Sequence, residues 1–293
     1  MKKVAIFSPI NPQIWERQEL LYKLISGKLN NQYFYFGTHS KVEEDFDLKV
    51  YYGKDPRKIV PKSNSIRFVT EPPEIQKAKR RKWKKYHEIF VPYDSNLPNL
   101  NLTKTQTCLP WRVGVDFSVR HGAINLDFNQ IKDIATPTEK KISIVVSNKI
   151  LTKDQKQRQV VAHFLAEKLG DQINLKGRGY SMFKDKFEVL ATSDIHVAME
   201  NSSHENYWTE KLADPILARN FVFYYGAKRF PAKFQNIQSF NIYDPLPKIL
   251  EELLLFVETV RNESDSKRES ILDLAVRSLI LDESLHAILE EYT

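Results

Sequence analysis

Apolar positions along the chain fall into short β-prone runs separated by stretches of helical period. Lys2 to Pro9 reads as a strand. Gln13 to Leu29 reads as a helix, with Trp15, Leu20, Leu21, Leu24 and Ile25 at roughly helical spacing. Further strands are predicted at Tyr33–Gly37, Leu48–Tyr52, Ile66–Val69, Ile89–Val91 and Gln106–Leu109. Strands alternating with helical or irregular connections predict an α/β layer. From Pro92 to Thr138 the texture changes to Asn, Pro and Asp with few long apolar runs, ending in TPTEKK, so the domain boundary is placed there. Lys141 to Ser147 (KISIVVS) then opens a second unit as a buried parallel strand. It is followed by a helix over about Asp154 to Leu169, a glycine turn in Leu175–Tyr180, and a strand from Ile195 to Met199. Next come an amphipathic helix bearing Leu212, Ile216 and Leu217, and a strand from Phe221 to Tyr225. The chain closes with Ser239–Tyr243, a helix over about Pro247 to Val260, and a final helix reaching Tyr292. Leu272, Ala275, Leu279, Leu285, Ile288 and Leu289 give that last helix an apolar face.

Composition narrows the class. With 293 residues the chain has the length of one large domain or of two of roughly 100–150 residues, and 42% hydrophobic and 12% aromatic residues suffice for globular cores. Its one cysteine, Cys108, excludes an intrachain disulfide framework and fits a reducing compartment. No run approaches the ~20 apolar residues of a membrane span, and Met1–Phe7 is too short for the apolar region of a signal peptide. A cytoplasmic protein is expected. The net charge of +7 suits an anionic partner such as a nucleotide diphosphate, acidic lipid headgroups or nucleic acid. Lys77 to Lys85 (KAKRRKWKK) reads as a solvated helix face, or as a patch for anionic glycolipid, polysaccharide or the inner face of a membrane. One tryptophan is a thin stacking platform, so nucleic acid is not expected there. Asp45-Phe46-Asp47 follows Glu43-Glu44 in a charged stretch and reads as solvated surface. No histidine pair has i, i+4 metal spacing, and no metal site is expected. There is no G-x-G-x-x-G or Walker motif, which argues against dehydrogenase and ATPase readings.

The stretch richest in chemistry is Ile195 to Gly226. Its strand-to-helix loop, from Glu200 to Lys211, carries carboxylates, an amide, a phenol, a hydroxyl and an ammonium. In open parallel sheets ligands lie at the carboxyl ends of strands, where helix N-termini point N–H groups at anions. Thr209 is a candidate helix cap, and Lys211 supplies a point charge for phosphate. Pro215 sits inside the expected helix, so either the helix kinks or it begins at Asp214-Pro215 with Asp214 as cap. A second informative segment is Arg67 to Glu74. There a β run ends in Glu71-Pro72-Pro73 and holds a carboxylate at a strand tip.

The run AMENS, then YWTEKLADPILA, then FYYG resembles the signature of the family 10 glycosyltransferases, the α-1,3/1,4-fucosyltransferases. The likeness covers about residues 140–245, with Glu71 and its surroundings resembling the family's Glu-Ser-Pro or Gly-Glu-Asn segment more weakly. Animal members carry a membrane anchor, and this chain resembles the bare catalytic form of bacteria or viruses. The resemblance implies an α/β fold of GT-B type, with two Rossmann-like domains facing across a cleft. Residues 1–137 would bind the acceptor, residues 138–265 the GDP-sugar, and residues 266–293 would form a helix returning to the first domain. It implies inverting transfer of fucose from GDP-fucose to a hydroxyl of an acceptor oligosaccharide or glycolipid, with no cofactor and no strict need for a metal. Glu71 would be the catalytic base. Arg158 and Lys211 would hold the diphosphate, and Asn201, Tyr207 and Glu210 would contact nucleotide or fucose. Ser147, Asn148, Arg178 and Glu200 fall within matching segments, the Glu200 side chain being expected to point into structure. Glu74 is the near competitor of Glu71. Two other readings remain: a GT-B enzyme with a different donor or acceptor, and a non-catalytic glycan- or surface-binding module.

Overall fold

The computed structural model describes residues 2–28, 32–37, 45–53, 64–77, 80–95, 97–106, 110–119, 122–126, 130 and 141–292. Cys108, Glu43-Glu44, the TPTEKK segment up to residue 140 and residues 78 and 79 of the basic block lie outside them.

Two parallel sheets carry the fold. In the first, β1 (Lys2–Phe7), β2 (Gln32–Gly37), β3 (Leu48–Tyr52), β4 (Ser65–Phe68), β5 (Glu88–Val91) and β6 (Leu102–Lys104) run in the order β2-β1-β3-β4-β5-β6. In the second, β9 (Ile142–Val145), β10 (Ile173–Lys176), β11 (Ile195–Met199), β12 (Phe221–Tyr225) and β13 (Ile237–Ser239) run in the order β10-β9-β11-β12-β13. A short antiparallel pair, β7 (Val115–Asp116) and β8 (Ala123–Ile124), lies between them in sequence.

Period-two alternation sends successive side chains to opposite faces, and the inner strands β1, β4, β11 and β12 are buried on both, while β6, β10 and β13 stay partly exposed. In β1, Val4 and Ile6 join one apolar cluster while Ala5 and Phe7 join the opposite one. In the second sheet Ile195, Val197 and Met199 face one core, and Ala198 faces the other with Val222 and Tyr224. Each fully buried aliphatic side chain contributes roughly 1.5–3 kcal/mol, and a one-residue register slip would exchange the two faces, setting Ala5 where Ile6 now packs and mismatching both cores.

The helices cover these faces. They are α1 (Pro12–Ser26), α2 (Arg80–Trp83), α3 (Lys153–Leu169), α4 (Lys186–Leu190), α5 (Glu210–Leu217), α6 (Leu246–Arg261), α7 (Asp265–Leu281) and α8 (Leu285–Glu290). Leu21 of α1 shares a cluster with Leu212 and Ile216 of α5 and with Ala275, Leu279 and Ile280 of α7. Leu285 and Leu289 of α8 join Val4, Ile6 and Trp15 beneath the first sheet.

Several local readings change. The last helix is two helices, because the chain turns at Asp282-Glu283 and Ser284 caps α8 by accepting from the Ala287 N–H. Near the segment Ser239–Tyr243 the strand is Ile237–Ser239, and beyond it Asn241 Oδ1 accepts from the Tyr243 N–H in a turn. The last strand of the first sheet is Leu102–Lys104, ahead of the predicted Gln106–Leu109, of which residues 107–109 lie outside the described residues. Trp83, the aromatic residue of the basic block, is core rather than surface and lies under the buried Arg67 guanidinium. Asp45 is exposed, and Asp47 accepts from the Lys3 N–H at 2.7 Å, away from the cleft described next.

Candidate functional site

A cleft of about 450 Å³ opens where the carboxyl ends of both sheets approach each other. On its second-domain side it begins at the loops after β9 and β10. These loops run side by side because both glycines of the turn are needed. Gly177 has φ +126°, and a Cβ there would overlap the Val146 carbonyl oxygen. Gly179 has φ +91° against the Asn148 side chain. The Asn148 N–H donates to the Arg178 carbonyl at 2.9 Å. Ser147 and Arg178 thereby line the cleft, while the Asn148 side chain packs under Gly179 and is not part of the lining.

β11 delivers the next group. Glu200, the residue after it, is fully buried, and its backbone N–H donates to the Tyr225 carbonyl at 2.8 Å. Gly226 leaves room for it, since a Cβ there would lie 2.5 Å from Glu200 Cγ. The Glu200 carboxylate points into structure, accepting from the Thr209 N–H at 2.7 Å and from the Thr209 hydroxyl. Thr209, not Asp214, caps α5 by accepting from the Lys211 N–H, and the helix runs through Pro215. Asp214 instead serves the cleft wall. Its Oδ1 accepts from the Arg112 N–H at 2.6 Å and its Oδ2 from Lys186 Nζ at 3.1 Å, which ties the 112–113 segment to the second domain.

Asn201, Tyr207, Glu210 and Lys211 all line the cleft, together with Arg158 from α3. Asn201 is held by the start of α3, where Thr152 donates to its carbonyl at 3.1 Å and Gln155 to its Oδ1 at 3.3 Å. Arg158 is buried, donates to the Met199 carbonyl at 2.8 Å, and has a buried Nε with no partner among the described residues. Burial lowers its pKa, against the opposing pull of Glu200. Burial, with Glu200 and Glu71 nearby, pushes the Tyr207 phenol well up, so it stays a neutral donor. Burial also works against the charge of Glu210, but Lys211, Arg112 and Lys186 outweigh it and hold that carboxyl well below the usual range. The same pairing, with Glu200 added, overcomes burial and raises the Lys211 pKa.

The first sheet contributes Thr70 and Glu71 beyond β4, and Ile75 from the following turn, in which the Ile75 and Gln76 N–H groups donate to the Pro72 carbonyl. The strand beneath is anchored by buried Arg67, which donates to the Gly53 carbonyl at 2.6 Å and lies over the rings of Trp83 and Tyr86. Glu71 Oε2 is buried without a hydrogen-bond partner among the described residues. Burial raises its pKa, with Lys211 opposing and Glu210 and Glu200 adding to the rise. Glu74 is placed differently: it pairs with His204 Nε2 at 3.1 Å, outside the cleft lining.

Of the residues singled out from sequence, the cleft brings together Glu71, Ser147, Arg158, Arg178, Asn201, Tyr207, Glu210 and Lys211. Sequence reasoning missed Arg112, Lys149, Gln155 and Lys186, which also line it. Among the described residues, the lining cations are six (Arg112, Lys149, Arg158, Arg178, Lys186 and Lys211) against three carboxylates (Glu71, Glu210 and Asp214), which suits an anionic ligand. Lys186 had no local signal, because its role depends on Asp214, which is 28 residues away.

No protein-family profile matches the chain. A mouse 4-galactosyl-N-acetylglucosaminide 3-alpha-L-fucosyltransferase 9 is 26% identical over 177 residues, covering 56% of this chain and 46% of that protein. The human protein of the same name is 25% identical over the same length and coverage. The chain thus spans about half the length of the curated relatives it matches. Among solved structures, an α1,3-fucosyltransferase superposes with a TM-score of 0.51 at 14% identity, over 95% of this chain and 90% of that one. The same kind of enzyme with GDP-fucose gives 0.50 at 14% identity, over 94% and 90%. The chain therefore has the α/β GT-B fold and resembles the family 10 fucosyltransferases in both sequence and architecture.

Proposed function

We propose that this chain is a glycosyltransferase of α-1,3-fucosyltransferase type, moving fucose from GDP-fucose to a hydroxyl of an acceptor glycan with inversion. The observation that carries the reading is the cleft itself. It brings Glu71, from the segment after β4, into one lining with Arg158, Asn201, Tyr207, Glu210 and Lys211 from the loops and helices of the second sheet.

The chemistry follows from that shared lining. The acceptor oxygen forms a bond to the fucose anomeric carbon as the bond from that carbon to the β-phosphate oxygen breaks. GDP leaves with the electron pair, and the acceptor proton passes to Glu71. A sugar hydroxyl is a poor nucleophile, so a carboxylate taking its proton in the transition state accelerates the step. Arg158 and Lys211 offset the charge that develops on the departing diphosphate. Glu210, kept ionised by its cationic neighbours, accepts hydroxyls of ribose or fucose, and neutral Tyr207 and the Asn201 amide orient the donor.

The test is acceptor-dependent release of GDP from GDP-fucose across an array of oligosaccharides and glycolipids. Release with a subset of acceptors is expected. Turnover with a uridine-linked sugar and none with GDP-fucose would assign a different donor. Glycan binding without turnover of any donor would make this a binding module.

A further inference from the structure

Two loops at the mouth of the cleft combine exposed apolar side chains with an excess of exposed cations. Ile150 and Leu151, after β9, are 65% and 73% exposed, and Met182, after β10, is 67% exposed. Phe117 and Val119, at 43% and 50%, extend the same surface, since the Phe117 N–H donates to the Lys184 carbonyl at 3.0 Å. The exposed charged side chains within residues 147–156 and 176–184 are Lys149, Lys153, Lys156, Arg178 and Lys184. The one carboxylate in those segments, Asp154, is buried and taken up by the hydroxyls of Tyr225 and Tyr243. Asp116, beside Phe117, accepts from the Ser118 N–H. The patch is continuous with the cleft, because Phe117, Lys149, Leu151 and Arg178 belong to both.

We propose that this rim docks on an anionic lipid surface, with Ile150, Leu151 and Met182 entering the headgroup boundary and the surrounding lysines and arginine lying against acidic headgroups. Aliphatic side chains standing out beside exposed cations suit an interface in which one layer is apolar and the next carries negative charge. Nucleic acid would call for aromatic faces, and the three most exposed side chains here are aliphatic. The basic block at 77–85 fits less well, because burial of Trp83 leaves it charge without an insertable side chain. For the transferase proposed above, on which only this extension rests, the rim would present the open cleft to acceptors anchored in the same membrane.

The full chain is tested by cosedimentation with phosphatidylcholine vesicles and with phosphatidylcholine/phosphatidylglycerol vesicles. Binding to the mixed vesicles alone is expected, and it should weaken as salt screens the headgroups. The Ile150→Glu/Met182→Glu variant should bind at least about tenfold more weakly, as two aliphatic side chains stay in water, while Ile150→Leu/Met182→Leu retains binding. Thermal melting in the presence of GDP checks that the variants are folded. Undiminished binding by the glutamate variant, or no binding by the parent chain, overturns the proposal. So does loss of binding on neutralising Arg81, Lys84 and Lys85 with the glutamate variant unaffected. If vesicle binding follows the expected pattern while GDP gives no thermal shift, the membrane rim stands and the donor assignment fails.

Discussion

Lys211 Nζ lies 3.3 Å from Oε2 of Glu200 and 3.3 Å from Oε1 of Glu210, and Glu200 is fully buried. Glu200 also binds both the backbone and the hydroxyl of Thr209, the residue that caps the same helix. One carboxylate thus fixes the start of α5 and the direction of its ammonium group. Glu200→Gln keeps the shape and an acceptor for Thr209 but loses the charge facing Lys211. Burial favours the neutral form at this position and Glu210 still pairs with Lys211, so stability should change by no more than about 1 kcal/mol. GDP affinity, measured by calorimetry, should fall roughly three- to tenfold as Lys211 loses its fixed orientation. A loss of fold with GDP affinity unchanged in the remaining native protein would make Glu200 purely structural.

Arg158 and Lys211 reach the cleft from different elements, α3 and α5, yet are proposed to meet one diphosphate. A ligand that binds only the native state raises the melting temperature by mass action. GDP should therefore stabilise the protein, and Arg158→Ala and Lys211→Ala should each weaken its binding at least about tenfold. Stabilisation by UDP and not by GDP would contradict the assigned donor.

The cationic lining also bears on metals. With lysine and arginine side chains placed to balance the leaving diphosphate, turnover is expected to persist in excess EDTA. Complete loss on chelation, restored by manganese, would show that these side chains do not suffice.

Gly177 offers a structural check. Its φ is positive, and any Cβ at this position would overlap the Val146 carbonyl oxygen, so an alanine has nowhere to go without moving the β9 loop. Gly177→Ala should cost roughly 1–3 kcal/mol of stability from backbone strain alone and displace Ser147 and Arg178 from the cleft edge. An unchanged melting temperature would show that the loops yield easily.

The fold was legible because parallel strands buried on both faces leave apolar runs such as Val4–Phe7 and Ile195–Met199, and because the loop from Glu200 to Lys211 is contiguous in sequence. Helix ends were less legible where a turn depends on a single capping side chain, as at Ser284. The same limit applies to Asp214, which sits where a cap residue would, while Thr209 makes the capping bond. Arg112 and Lys186 were not legible at all. Their place in the cleft is set by hydrogen bonds to Asp214 across 102 and 28 residues, and no local spacing encodes such pairings.

Glu71 gives the sharpest test of the proposed chemistry. Its Oε2 is buried without a hydrogen-bond partner among the described residues, and burial raises its pKa although Lys211 opposes the shift. The base form is therefore reached at a higher pH than in an exposed glutamate. As pH falls through the raised value, kcat/KM should fall with it, and the bound diphosphate, being anionic, should move the limb in kcat higher still. Glu71→Gln should retain GDP-induced stabilisation, lower turnover by about 10²–10⁴-fold, and abolish that acid limb. The sign for stability is opposite to that of a salt-bridged carboxylate. With the folded pKa raised, the favourable contribution of the neutral group is present below its unfolded pKa and is lost as pH rises through the folded one. Above that pH, Glu71→Gln should melt at a slightly higher temperature than the parent. Near-normal turnover in Glu71→Gln together with collapse in Glu74→Gln would move the base to the residue that pairs with His204, and the opposition of the two domains across the cleft would then need a different reading.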